Sequence, residues 1–314
     1  MSYSTGVPSS TTNLIASLIN FLVSDGGFTL GNTWTFTSAN SNPDGGGTFS
    51  NYTARALSRD GQYVTLFWKT TSPDYLHLNS CTNNPTSGLP NQQTGAASNS
   101  MPIELGTAPL RYHFFSNGNS VNAAVEWLGG VYQHINIGVI TKYGAFTGGL
   151  YVSGSFWSRN DPNGPNYRNW DTSYHIRPFD GLSSLNTGTN GHVRVDYLGQ
   201  SVALFSNANL AGNVCVGLQL FSRFMIDRSP NAYNGRAVLA PIEILLGLED
   251  LSIPSHHKPL GRVDNVAYIN ITNLNPLDVI LTDWMVFPLS AKNSGGTVAS
   301  GYINSGNYGI AYRM

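Results

Sequence analysis

Between Leu110 and Trp157 the chain runs LRYHFFSNGNSVNAAVEWLGGVYQHINIGVITKYGAFTGGLYVSGSFW, a train of short apolar runs separated by Gly and Asn. Val, Ile, Tyr, Phe and Trp fit a pleated, half-buried surface, so strands are expected at 111–115, 120–128, 131–141 and 150–157. Gly129-Gly130 is a hairpin signal, because a primed turn needs positive φ. The strand before it alternates Val121, Ala123, Val125, Trp127 against Asn122, Ala124, Glu126. The strand after it alternates Val131, Gln133, Ile135, Ile137 against Tyr132, His134, Asn136. A two-residue turn would set Leu128 opposite Val131 and Glu126 opposite Gln133. The stretch reads as antiparallel β.

The remaining residues keep the same vocabulary. Glu and Lys, which usually fill helix surfaces, number four each, against 34 Gly and much Asn, Ser and Thr. A mainly β chain is expected, an antiparallel sandwich or barrel-like architecture with one short N-terminal helix. The helix is TTNLIASLINFLVS at 11–24, where Leu14, Leu18 and Leu22 make an apolar stripe with Ile15 and Ile19. Ser or Thr before it can cap it and Gly26-Gly27 can stop it. So short a helix must dock, either on its own sheet or on a neighbouring subunit, and Leu14, Leu18 and Leu22 are the candidate interface.

Further strands are expected at 28–37, 49–57, 62–69, 75–78, 192–197, 201–205, 214–225, 237–246, 263–271, 279–287 and 308–313. Asp60-Gly61 is a strong turn signal. Pro241 inside the apolar run 237–246 favours an edge strand or a bend. Two tracts read as long loops, the nearly apolar-free 79–102 and the aromatic-studded 159–185. Residues 1–26 then form a helical docking element and 27–314 a β-rich body, which the 79–102 loop would divide if it has two sub-domains.

Part of the chain resembles structural (virion) proteins of tailed bacteriophages. The resemblance rests on YHFFSNGNSVNAAVEWLGGVYQHINIGVITKYGAFTGGLYVSG, in which an aromatic strand leads into a Val-rich strand ending in Glu, then a Gly-Val-Tyr-x-His strand and a Lys-x-Gly to Thr-Gly-Gly-x-Tyr turn. It extends to the N-terminal helix, to Pro259-Leu260-Gly261-Arg262 leading into 266–270, to Trp284-Met285-Val286-Phe287-Pro288 with Lys292, and to Gly309-Ile310-Ala311-Tyr312-Arg313. These are structural residues in a characteristic order and carry no chemical signature.

Chemistry is sparse. The chain contains no G-x-S-x-G, H-E-x-x-H, phosphate loop or dinucleotide fingerprint. A net charge of −1, with 12 Arg scattered singly, argues against a general nucleic-acid binder. No run approaches the length of a membrane span, and the N-terminus lacks the basic region of a secretory signal. Cys81 and Cys215 are expected as free thiols of a chain made in a reducing cytoplasm, Cys81 within a polar loop. Glu126 is the one carboxylate that could anchor a glycosidase pair, and it is expected instead to bond backbone or Arg at a hairpin end. His113 and His134 could converge but lack a third ligand, and His256-His257 point apart on an extended chain. Asp161, Asn163 and Asn166 could ligate calcium, although two prolines make an ordinary turn the simpler reading. No catalytic residue, metal or cofactor is assigned.

The expected function is therefore that of a non-enzymatic component of a tailed-phage neck, tail or baseplate, located in the virion and made in the host cytoplasm. Its partners would be other copies of itself and other virion proteins, with no nucleic acid and no membrane. The alternative is a carbohydrate-binding module recognising a host glycan through exposed aromatics, and the third reading is a glycan-degrading enzyme.

Overall fold

The computed structural model describes residues 1–38, 50–71, 73, 75–94, 96, 100–106, 108–155, 178–179, 191–196, 203–206, 214–215, 235–247, 257–289 and 308–314. Their regular structure is mainly antiparallel strand with one α-helix. Strand β1 (Ser2–Gly6) precedes α1 (Thr11–Ser24). Next, β2 (Thr29–Ser38), β3 (Ser50–Arg59), β4 (Gln62–Lys69), β5 (Tyr75–Cys81) and β6 (Met101–Glu104) form a five-stranded meander in chain order. The larger sheet adds β7 (Arg111–Ser116), β8 (Ser120–Leu128), β9 (Val131–Val139), β10 (Thr141–Lys142), β11 (Thr147–Gly154), β12 (Gly191–Asp196) and β13 (Ala203–Ser206). It continues with β14 (Val214–Cys215), β15 (Ala240–Gly247), β16 (His257–Asn270), β17 (Val279–Ile280), β18 (Trp284–Pro288) and β19 (Tyr308–Arg313). Its spatial order is β1-β7-β8-β9-β11-β12-β13-β14-β15-β16-β19-β18-β17, with β10 attached to β16.

The large sheet folds over on itself, and this puts β7, β8, β9 and β11 in the middle of the molecule. One face of these strands, with Phe114, Val121, Ala123, Val125, Ile135, Ile137, Leu150 and Val152, packs on α1 and the five-stranded sheet. The other face, with Phe115, Ala124, Tyr132 and Tyr151, packs on Ile242, Tyr268, Phe287, Ile310 and Tyr312 from the far half of the same sheet. A sequence that alternates apolar and polar would ordinarily wet its polar face. Here that face is internal, and Asn122, His134 and Asn136 are buried with it. Phe287 is the hub of this second core, with ring centroids 5.3 Å from His113, 5.9 Å from Phe115, 5.5 Å from Tyr132 and 5.9 Å from Tyr312.

Local signals account for much of this. The Ser10 hydroxyl caps α1 by accepting the Asn13 N–H at 3.1 Å, and Gly27 leaves the helix at φ +70°. Asp60 and Gly61, at φ +50° and +73°, make the two-residue turn that joins β3 to β4. Arg59 beside that turn donates to the carbonyl of Gly26, to that of Gly118 at 2.6 Å and to Asn119 Oδ1 at 2.7 Å. Its one planar fork thereby ties the end of α1 and the β7–β8 turn to the five-stranded sheet.

Several expectations are corrected. The β8–β9 register slips between Glu126 and Leu128, so Glu126 lies opposite Tyr132 and Gln133 lies opposite Val125. The reason is the pattern itself. An unbroken ladder from the turn would place Ile135 against Ala124 and turn β9's apolar set to the wrong face, whereas one extra residue restores Ala123 to Ile135 and Val121 to Ile137. The 279–287 run is two strands, because Leu281 and Thr282 turn the chain at φ +49° and +73°. The 79–102 tract joins β5 to β6, which are neighbours in one sheet. Its backbone is pinned by Asn32 Nδ2 donating to the Pro85 carbonyl at 3.3 Å and Trp34 Nε1 to that of Gly88 at 3.0 Å. Strand β1 was not anticipated. Most of 159–185 and of 214–225 lies outside the described residues.

Candidate functional site

Most side chains that the sequence singles out are occupied inside the framework. His134 is fully buried, its Nε2 2.9 Å from the Pro288 carbonyl and its Nδ1 3.0 Å from the Tyr312 hydroxyl. A carbonyl can only accept, so Nε2 carries the proton and Nδ1 accepts from Tyr312. Burial lowers the His134 pKa from 6.5 to about 4. His113 lies two strands away, and its Nδ1 is 2.8 Å from the Tyr3 hydroxyl. Both imidazoles contact the Phe287 ring. No three His, Cys, Asp or Glu side chains among the described residues group as metal ligands.

Glu126 sits at the hairpin end, where its Oε1 accepts the Gly130 N–H at 2.9 Å and its backbone faces Arg111. Cys81 ends β5 and is a buried free thiol, not part of a polar loop. Burial raises its pKa, against the opposing pull of Arg194. Leu14, Leu18 and Leu22 are at most 1% exposed and are covered by the chain's own strands. They offer no surface to a second copy. Asp161, Asn163, Asn166, His256 and the side chains of His257 and Cys215 lie outside the described residues.

Two surface features remain. The first is a cleft of about 420 Å³ on the outer face of β15, β16, β19 and β18, lined by Pro241, Arg262, Asp264, Asn265, Trp284 and Arg313 among others. A break in the β15–β16 ladder creates it. Pro241 pairs with Ala267 and the next residue, Ile242, with Val263, so 264–266 bulge out of that ladder. Proline has no N–H to continue the ladder, and Asn265 turns the bulge at φ +62°. Asp264 holds Arg262 through Nε at 2.9 Å and accepts the Thr141 hydroxyl, while Asp283 holds Arg313 through Nε at 2.6 Å. Nearby, the Tyr143 hydroxyl donates to Glu243 at 2.7 Å, and burial together with that carboxylate pushes its pKa up to about 12. Sequence reasoning missed this cleft, and Pro241 was its only signal.

The second feature is an edge. Strand β1 pairs with β7 alone among the described residues. At one end of this edge Val7 (75%), Leu110 (47%) and Leu128 (42%) are exposed. The register gathers them, because Gly6 lies opposite Tyr112 and the Leu110 N–H bonds the Glu126 carbonyl at 2.7 Å.

No protein-family model matches the chain, and no curated protein matches it.

Proposed function

We propose that the chain is a non-enzymatic structural component of a tailed-phage particle, in the neck, tail or baseplate, that works by symmetric association with other copies of itself. The observation that carries this reading is the β1 edge. An edge strand exposes unpaired N–H and C=O groups, and monomeric proteins usually guard it with Lys, Pro or a covering segment. Strand β1, SYSTG, has no charge and no proline, and Val7, Leu110 and Leu128 extend it with apolar surface. A second copy can add backbone pairing and bury those three side chains in one step. The order of motifs that resembles phage virion proteins, and the sparse charge, support the same reading.

Light scattering on the purified chain tests it. The wild type is expected to run as a closed oligomer. Leu110→Lys with Leu128→Lys, at positions already exposed, should shift it toward single chains without lowering the melting temperature. A wild type that stays a single chain at every concentration would overturn the reading, and so would an oligomer indifferent to both charges.

A further inference from the structure

The cleft formed by the β16 bulge has chemistry that self-association does not use. It lies on the side of β18 that carries Trp284, which is partly buried against Ile269, Ile271, Val286 and Ala311, whereas the adjacent Met285 faces the second core. Its polar groups are mostly donors. Arg262 and Arg313 each give only Nε to a carboxylate, so among the described residues both Nη atoms of each guanidinium have no hydrogen-bond partner. Their side chains are 52% and 43% exposed. Asn265, with its amide, and Trp284, with its indole N–H, line the same cleft. Each guanidinium is anchored at one end and open at the other, the arrangement that a planar carboxylate meets with two parallel hydrogen bonds.

Positive φ values gather along the stretch of chain that supplies Asn265 and Trp284. Of six non-glycine residues at positive φ among the described residues, four lie between 265 and 282: Asn265, which lines the cleft, and Leu277, Leu281 and Thr282. A β-branched residue such as Thr282 rarely adopts this conformation, and such positions concentrate at binding sites and ligand clamps. The hairpin containing Leu281 and Thr282 also carries Asp283, which holds Arg313, and Trp284.

We infer that this cleft is a binding site for an acidic saccharide, a pyranose ring bearing a carboxylate. Arg262 and Arg313 receive the carboxylate, Asn265 bridges neighbouring hydroxyls as donor and acceptor, and Trp284 supplies an aromatic surface for the apolar face of the ring. The volume suits one to two sugar rings and falls in the usual range of small-ligand sites. Asp264 and Asp283 are positioning residues. They hold the two guanidiniums by Nε and so aim the open Nη edges at an incoming carboxylate. The site stands on the opposite face from the second core and does not depend on how copies associate.

Calorimetric titration with trigalacturonate, and with the neutral trigalactoside as control, tests the inference. The acidic trisaccharide should bind saturably and the neutral one at least roughly tenfold more weakly, the loss expected for a charge-assisted contact. Arg313→Gln and Trp284→Ala should each weaken binding to a similar degree, with Arg262→Gln as the second charge variant if Arg313→Gln melts early. Loss of binding at high salt would follow from the same pairing. Equal affinity for the two trisaccharides would overturn the inference, as would no binding of either. So would a glutamate-rich peptide that binds as tightly as trigalacturonate, which would make the cleft a peptide site.

Discussion

His134 on β9 and Tyr312 on β19 share a 3.0 Å hydrogen bond across 178 residues of sequence, and both are wholly buried. The bond joins the near and far halves of the folded-over sheet, and the His134 bond to Pro288 joins the same strand to β18. A polar seam of this kind fixes how the two halves meet, because any other alignment leaves the imidazole unpaired in the core.

Acid should therefore weaken the fold. The native pKa of His134 is about 4, below the ordinary 6.5, so the unfolded chain binds more protons between those values. Stability then rises with pH across that window, and it falls as pH drops from 6.5 to 4. The loss from His134 should be on the order of 3 kcal/mol, flattening below pH 4. Urea midpoints measured from pH 7 to pH 4 check this. His113, also lowered to about 4, adds in the same direction.

Leu18→Ala should cost roughly 2–4 kcal/mol of unfolding free energy, because Leu18 is 1% exposed between α1 and two sheets. The oligomeric state should not change, since the contact is within one chain. Denaturation paired with light scattering separates the two effects.

Cys81 should resist a thiol reagent in the native protein and react fully in denaturant, given its burial and raised pKa. Timed labelling followed by mass measurement of the Cys81 peptide is the check. Fast native labelling would mean that the end of β5 opens readily.

Glu126→Gln should lower stability by no more than about 1 kcal/mol, the usual worth of one hydrogen bond near the surface. Among the described residues the hydrogen bond of the carboxylate is to the Gly130 N–H, and its charge also acts on Tyr132. The wild type should release no reducing sugar from polysaccharide, and the Gln variant should match it.

What the sequence made legible was local. The α1 stripe, the Asp60-Gly61 turn and the bounds of β8 follow from spacing within a dozen residues. Strand β1 was hidden because SYSTG has no apolar alternation, and only its pairing with β7 makes it a strand. The Glu126 slip was hidden because turn length and face pattern disagree by one residue, and burial of both faces settles the matter for the pattern. The cleft was hidden for a different reason. Pro241, Arg262, Asn265, Trp284 and Arg313 come from four strands, and no spacing in the sequence joins them.

Quantitative mass spectrometry of purified particles, from a phage whose genome encodes this chain, tests the proposed role most directly. The chain should be present at a fixed whole-number copy count per particle, matching a ring or trimer symmetry, and should remain after high-salt washing. Its absence from purified particles, while abundant in the infected-cell lysate, would contradict a structural role.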